Sequence, residues 1–236
     1  MTRILIGLDD TDRPGAKNST ARLARMLGES FAPRATFVGS IGHLLFSGVK
    51  ATTNNKASCV ILDNINDLPL DLVLIETVDF VRKHAEPGSA PGVVVAKTAP
   101  QDVVAFGKRA SVEEVARAEA LACMGDLPHH VFGEGNGVIG ALAAIGLTEN
   151  GWSGRWLEYK QLRASDRAVQ VGALIEMGIF VVSLETDAEV PATQDWVDTH
   201  KWLRPQLLAG KAALPVRRVG PGMWEAASVK HAEKYR

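Results

Sequence analysis

The apolar segments in the N-terminal part of this chain alternate in an order that few folds accommodate. Residues 3–8, 36–41, 57–62 and 92–96 are short runs rich in valine, isoleucine and leucine, as strands require. Residues 19–31 repeat apolar side chains at helical spacing, with Leu23, Met26 and Leu27 on one face, and residues 68–83 hold a second helix-length apolar stretch. Strand, helix, strand, strand, helix, strand is the order of a split βαβ unit. The spacing therefore predicts an α+β (α/β mixed) fold that opens with a ferredoxin-like βαββαβ unit. Residues 86–92, with two Pro-Gly pairs in Glu86-Pro-Gly-Ser-Ala-Pro-Gly92, read as the clearest loop of this half.

Shorter helices are expected next. One spans residues 100–108, and Ser111-Val-Glu-Glu114 reads as a capping box opening another that ends near Met124. Residues 138–146 are so apolar that their helix must be buried. Residues 151–161 form a strand or hairpin in which Trp152 and Trp156 pack. From about Ser165 the pattern gives a helix, a strand over 179–184, a stretch rich in tryptophan and proline, and a frayed end at 230–236. The expected division is a first domain over 1–164 and a smaller α/β extension over 165–236 whose role stays open.

Composition narrows the function classes. At 236 residues with 46% hydrophobic and 22% charged residues, the chain can bury a full core. Its formal net charge of -1 provides no global basic field for nucleic acid, although a local patch remains compatible with that value. Cys59 and Cys123 are far apart and read as buried thiols of a reducing compartment, not as a zinc site. The N-terminus lacks a signal-peptide pattern and no apolar run reaches a membrane span, so a cytoplasmic location without membrane association is expected.

The chemistry concentrates where the first strand ends. Ile4-Leu-Ile-Gly-Leu-Asp-Asp-Thr-Asp12 empties a buried strand into Asp9, Asp10 and Asp12. Carboxylates this close repel and raise one another's pKa, and a hard divalent cation such as Mg²⁺, commonly carrying a phosphate, relieves that repulsion. A solvated acidic turn that caps a helix is the alternative. The loop that follows brings Lys17, then Asn18, Ser19 and Thr20 at the start of a helix whose free N–H groups suit phosphate; either Asn18 or Ser19 serves equally as a plain N-cap.

Further along, Gly133-Glu-Gly-Asn-Gly-Val-Ile-Gly140 feeds a buried helix and is a second candidate anion cradle through Gly135, Asn136 and Gly137; tight packing explains its small residues equally well. No Gly-Lys-Ser/Thr follows, so it is not a Walker A loop. Lys50-Ala-Thr-Thr-Asn-Asn-Lys56 is a third polar run, in which Thr53, Asn54, Asn55 and Lys56 contact a ligand or form a hairpin loop. Lys50 and Lys56 are its cations for phosphate. His129 and His130, being adjacent, would face opposite ways in a strand and so do not suggest a shared metal ion.

Taken together, Gly7-Leu-Asp-Asp-Thr-Asp12, Ser19-Thr20, Pro91-Gly-Val-Val-Val95 and Gly137-Val-Ile-Gly-Ala-Leu-Ala-Ala-Ile-Gly146 resemble the kinase-like domain of the archaeal tRNA-isoleucine agmatinylcytidine synthetase family, over roughly residues 3–162. The resemblance implies ATP and Mg²⁺ as cofactors. It casts Asp9, Asp10 and Asp12 as metal-binding and catalytic carboxylates, with Ser19 where the family has a phosphorylated threonine. Thr11, Lys17, Thr20, Asn55, Lys56, Gly135, Asn136 and Gly137 complete the implied nucleotide site.

The departures from the family lie in Thr52-Thr-Asn-Asn-Lys56, where the family has a Thr-Arg-Gly-Asn-Gly loop, and in Asn136, where it has an arginine. After residue 165 no counterpart of its OB-fold or zinc ribbon is expected. The expected function is thus an ATP/Mg²⁺-dependent phosphotransferase-like enzyme with an unidentified small-molecule or nucleic-acid acceptor. A tRNA cytidine-modifying enzyme is the first alternative, with tRNA allowed but not favoured, and a non-catalytic nucleotide-binding module is the second. A homodimer is compatible with all three.

Overall fold

The structure, a computed structural model, describes residues 2–49, 55–160, 166–185, 190–200 and 203–227. The expected end at 230–236 lies outside these residues, as do Lys50, Thr53 and Asn54.

The chain is mixed α+β, and its opening elements come in the expected order: β1 (Thr2–Asp9), α1 (Thr20–Ser30), β2 (Thr36–Leu44), β3 (Lys56–Asn64), α2 (Leu70–His84) and β4 (Gly92–Ala96). The strands lie in the order β4-β1-β3-β2 and every neighbouring pair is antiparallel. In β1, alternate side chains enter opposite layers. Ile4, Ile6 and Leu8 meet Leu23 and Leu27 of α1 and Val73 and Val81 of α2 in one core cluster. Leu5 joins the other cluster, under a second helical layer. With both faces covered, these strands read as unbroken apolar runs.

That second layer comes from the helices after β4. These are α3 (Gln101–Ala110), α4 (Arg117–Met124) and, beyond the short edge strand β5 (His129–Val131), α5 (Gly137–Asn150). As its apolar sequence demands, α5 is the buried one: Val138, Ala141, Leu142 and Ile145 have no exposed surface. It presses so closely on β1 that a Cβ on Gly7 would fall 2.0 Å from the carbonyl oxygen of Ala141. Only glycine permits that approach.

Two local expectations fail. The helix expected from Ser111 begins at Arg117, because Ser111 instead closes α3, its Oγ donating to the Lys108 carbonyl at 2.7 Å. The N-terminal stabilisation comes from Glu119, which accepts from the Ala116 N–H at 2.9 Å. The helix expected from about Ser165 is displaced: Ala168–Gln170 forms strand β7, and a short α6 (Val171–Glu176) follows.

The remaining strands extend the same sheet. They are β6 (Arg155–Tyr159), β8 (Ile179–Ser183), β9 (Trp196–Asp198), β10 (Gln206–Leu208), β11 (Lys211–Gly220) and β12 (Met223–Ala226). β6 pairs with β2 on one side and β10 on the other, so the sheet continues from the N-terminal strands into the C-terminal ones. Among the described residues 151–160 there is one strand, β6, in which Trp156 is buried against Tyr159, whereas Trp152 is 61% exposed and does not pack as expected. Cys59 is buried but Cys123 only partly so, and both are free. No helix among the described residues is long and apolar enough to cross a membrane.

Candidate functional site

Asp9 ends β1, and the chain then turns sharply, with Asp10 at φ 54, a left-handed conformation that asparagine and aspartate tolerate better than most residues. This turn carries Asp9, Asp10 and Asp12 onto the wall of a cleft of about 1050 Å³. Asp12 reaches forward: its Oδ2 accepts from the Thr20 N–H at 3.0 Å, satisfying one of the unpaired donors at the start of α1. Ser19 is the N-cap, its Oγ accepting from the Arg22 N–H at 3.3 Å. The N-cap is thus Ser19, not Asn18, and the capped helix end is itself a wall of the cleft.

The opposite wall is the first turn of α5. Asn136, Gly137 and Gly140 line the cleft. Gly140 sits against Asp9 so tightly that a Cβ there would lie 1.9 Å from Asp9 Oδ2, and Gly137 lies over the backbone of Gly92. The glycines of this run thus bring a helix N-terminus onto the strand-end carboxylate, and the partial positive charge of that helix end favours an anion nearby.

Burial pushes the pKa of the Asp9 carboxyl up to about 8, and Asp10 and Asp12 push the same way, while the Asp10 N–H opposes them. Asp10 is raised too, chiefly by burial and then by Asp12, against the Ala90 N–H and Arg13. Such a pair takes a proton or a cation to neutralise it. Among the described residues no three His, Cys, Asp or Glu side chains form a complete metal cage. The donor set nonetheless fits Mg²⁺, which typically takes one or two carboxylates and fills its octahedron with water and phosphate oxygens.

The other site residues fall as follows. Asn55 and Lys56 line the cleft, and Asn55 also donates to the Phe46 carbonyl at 2.8 Å, so it closes its hairpin as well. Thr20 lines the cleft, but Thr11 is fully buried and its Oγ1 donates to Thr20 Oγ1 at 3.0 Å, which makes it a support. Lys17 is exposed on the loop and Gly135 packs on Ala90, neither on the cleft wall. His129 and His130 lie on β5, where the ring of His130 stacks edge-on against Phe132.

Several residues escape a sequence reading. Arg13 lines the cleft and lies over Gly88, and only its place directly after the aspartates hints at a role. Glu113 and Glu114 form part of the far wall. Arg155 starts β6 and Arg204 precedes β10; their charges, after burial, hold the Lys56 ammonium below its usual range. β2 lies between β3 and β6, and its pairs Leu44 with Lys56 and Gly42 with Arg155 bring both cations to one end of the sheet. No local signal links residues so distant in sequence.

Two solved structures of TiaS share this fold. The complex of TiaS with an isoleucine tRNA and ATP aligns with a TM-score of 0.54 at 24% identity, over 62% of this chain and 36% of that one. The complex of TiaS with the same tRNA, AMPCPP and agmatine gives a TM-score of 0.54 at 21% identity, over 75% and 44%. The chain thus spans less than half the length of either TiaS protein, and at these identities the likeness is one of fold. No protein-family profile and no curated protein matches the chain.

Proposed function

We propose that the cleft is the nucleotide site of an ATP- and Mg²⁺-dependent enzyme that activates an RNA acceptor by phosphoryl transfer. The observation that carries this reading is the meeting, in one cleft, of three strand-end carboxylates, the hydroxyl of Ser19 at one helix N-terminus, and the glycine-led N-terminus of another. Phosphoryl transfer needs little covalent chemistry from a protein beyond alignment and charge neutralisation. Asp9 and Asp10 would hold the cation, which when bound supplies charge neutralisation to the phosphates. Asp12 fixes the start of α1, and Arg13 and Lys56, both on the cleft wall, would supply positive charge to the phosphates. Among the described residues Ser19 Oγ accepts one long hydrogen bond; its oxygen would take the γ-phosphoryl group as the bond to the departing ADP oxygen breaks, its proton passing to a carboxylate of the cleft.

Sequence alone favours a small acceptor over tRNA. The proximity of Arg155 and Arg204 to Lys56, itself on the cleft wall, favours RNA, because cations clustered at one end of the sheet suit a phosphate backbone. The TiaS structures bound to tRNA and to ATP or its analogue support the same reading.

Incubation with Mg-ATP followed by mass spectrometry tests it. Phosphate on the peptide containing Ser19, lost in Ser19→Ala, is expected, and phosphate found only elsewhere removes that role. ATP turnover should rise on adding unmodified tRNA, and turnover indifferent to RNA would return the acceptor to the small molecules.

A further inference from the structure

The N-terminal turn of α5 lines the cleft, and the loop before it, residues 133–136, packs on Ala90 through Gly135 while Gly133, Glu134 and Asn136 are exposed, with Gly133 at φ 63. One side chain reaches it from another wall. Arg117, the first residue of α4, donates from Nη1 to the carbonyl of Glu134 at 3.0 Å. No carboxylate pairs with Arg117 among the described residues, and its Nε is buried without a partner. The residues just before it, Glu113, Glu114 and Val115, line the far wall of the same cleft, and those just after Glu134, Asn136 and Gly137, line the helix wall.

We infer that Arg117 is a positioning residue that clamps the 113–116 segment to the glycine loop and so sets the geometry of the helix terminus facing the nucleotide. A hydrogen bond from a charged donor contributes more than a neutral one, and its rigid planar group suits a fixed anchor. Neighbouring Arg109 already engages Glu113 and Glu119 at 2.7 and 2.8 Å, so the segment is tied on both sides and Arg117 transmits that order to the loop. Preorganised backbone donors bind an anion better than mobile ones.

The inference rests on the cleft taking a nucleotide, and two readouts on the full chain separate the two claims. In the ligand-free protein, hydrogen exchange of the Phe132 and Ile139 amides, which flank the loop and donate to the Pro91 and Asn136 carbonyls at 3.0 and 2.9 Å, should quicken roughly tenfold in Arg117→Met, since local opening governs exchange. Affinity for Mg-ATP by calorimetry should fall roughly tenfold, and Arg117→Lys should recover part of both. Unchanged exchange in Arg117→Met overturns the clamp. Faster exchange in a protein whose wild type binds no Mg-ATP sinks the nucleotide reading and leaves the clamp standing. Should Arg117→Met fail to fold, Arg117→Gln serves the same comparison.

Discussion

The carboxylate of Asp9 lies against Gly140, where a single added methyl carbon would fall 1.9 Å from Oδ2. A strand end and a helix start are thereby locked together, and the absence of a side chain at Gly140 is what lets the Asp9 carboxyl sit there. Gly140→Ala is expected to lower stability by about 1–3 kcal/mol, the usual cost of overpacking. It should also weaken Mg-ATP binding, because the displaced group is Asp9 itself. Thermal unfolding and calorimetry measure the two effects, and a variant that binds normally would show that Asp9 is not part of the site.

His43 gives the fold a defined acid sensitivity. It is fully buried on β2, its Nε2 hydrogen bonded with Thr148 Oγ1 of α5 at 2.8 Å, and burial pushes its pKa down to about 3 from 6.5. Between those values the unfolded chain binds the extra proton, so stability rises with pH across that window and is lost on acidification. The expected loss between pH 7 and pH 5 is about 2 kcal/mol. Denaturant titrations of His43→Gln should lack this component, and an unchanged pH slope would contradict it.

Much of this is legible in the residues, for reasons that are local. β1 is a short apolar run and α5 a long one, and each is buried wherever the rest of the chain goes. The carboxylates announce themselves by crowding, and Ser19 by its place before an amphipathic helix. What is not legible depends on choices between neighbours. Ser111 has two helices to serve and bonds back to Lys108, leaving Glu119 to begin α4. Lys17 sits among site residues in sequence yet does not reach the cleft wall, whereas Arg155 and Arg204 come near Lys56 only because strands pair across the sheet.

If these cations bind RNA, Arg155→Gln should reduce tRNA affinity at every sequence alike. The slope of log affinity against log salt should become shallower by about one, the contribution of a single phosphate contact. Mg-ATP affinity should not change. Filter binding across a salt series is the measurement, and an unaltered slope would remove Arg155 from the interface.

The thiols should separate by environment. Burial pushes Cys59 up to about 12, whereas Cys123 is raised from a partly exposed position. Thiolate availability governs alkylation. Iodoacetamide applied to the native protein at mildly alkaline pH should therefore label Cys123 and spare Cys59 until denaturant is added, and early labelling of Cys59 would contradict its place in the core.

The central claim is that Asp9 and Asp10 hold a cation that brings ATP into this cleft, and calorimetric titration tests it most directly. Wild-type protein should bind ATP with Mg²⁺ and far more weakly with EDTA, and Asp10→Asn should lose about tenfold or more in affinity. Equal binding by wild type and Asp10→Asn, or none by wild type, would contradict the account.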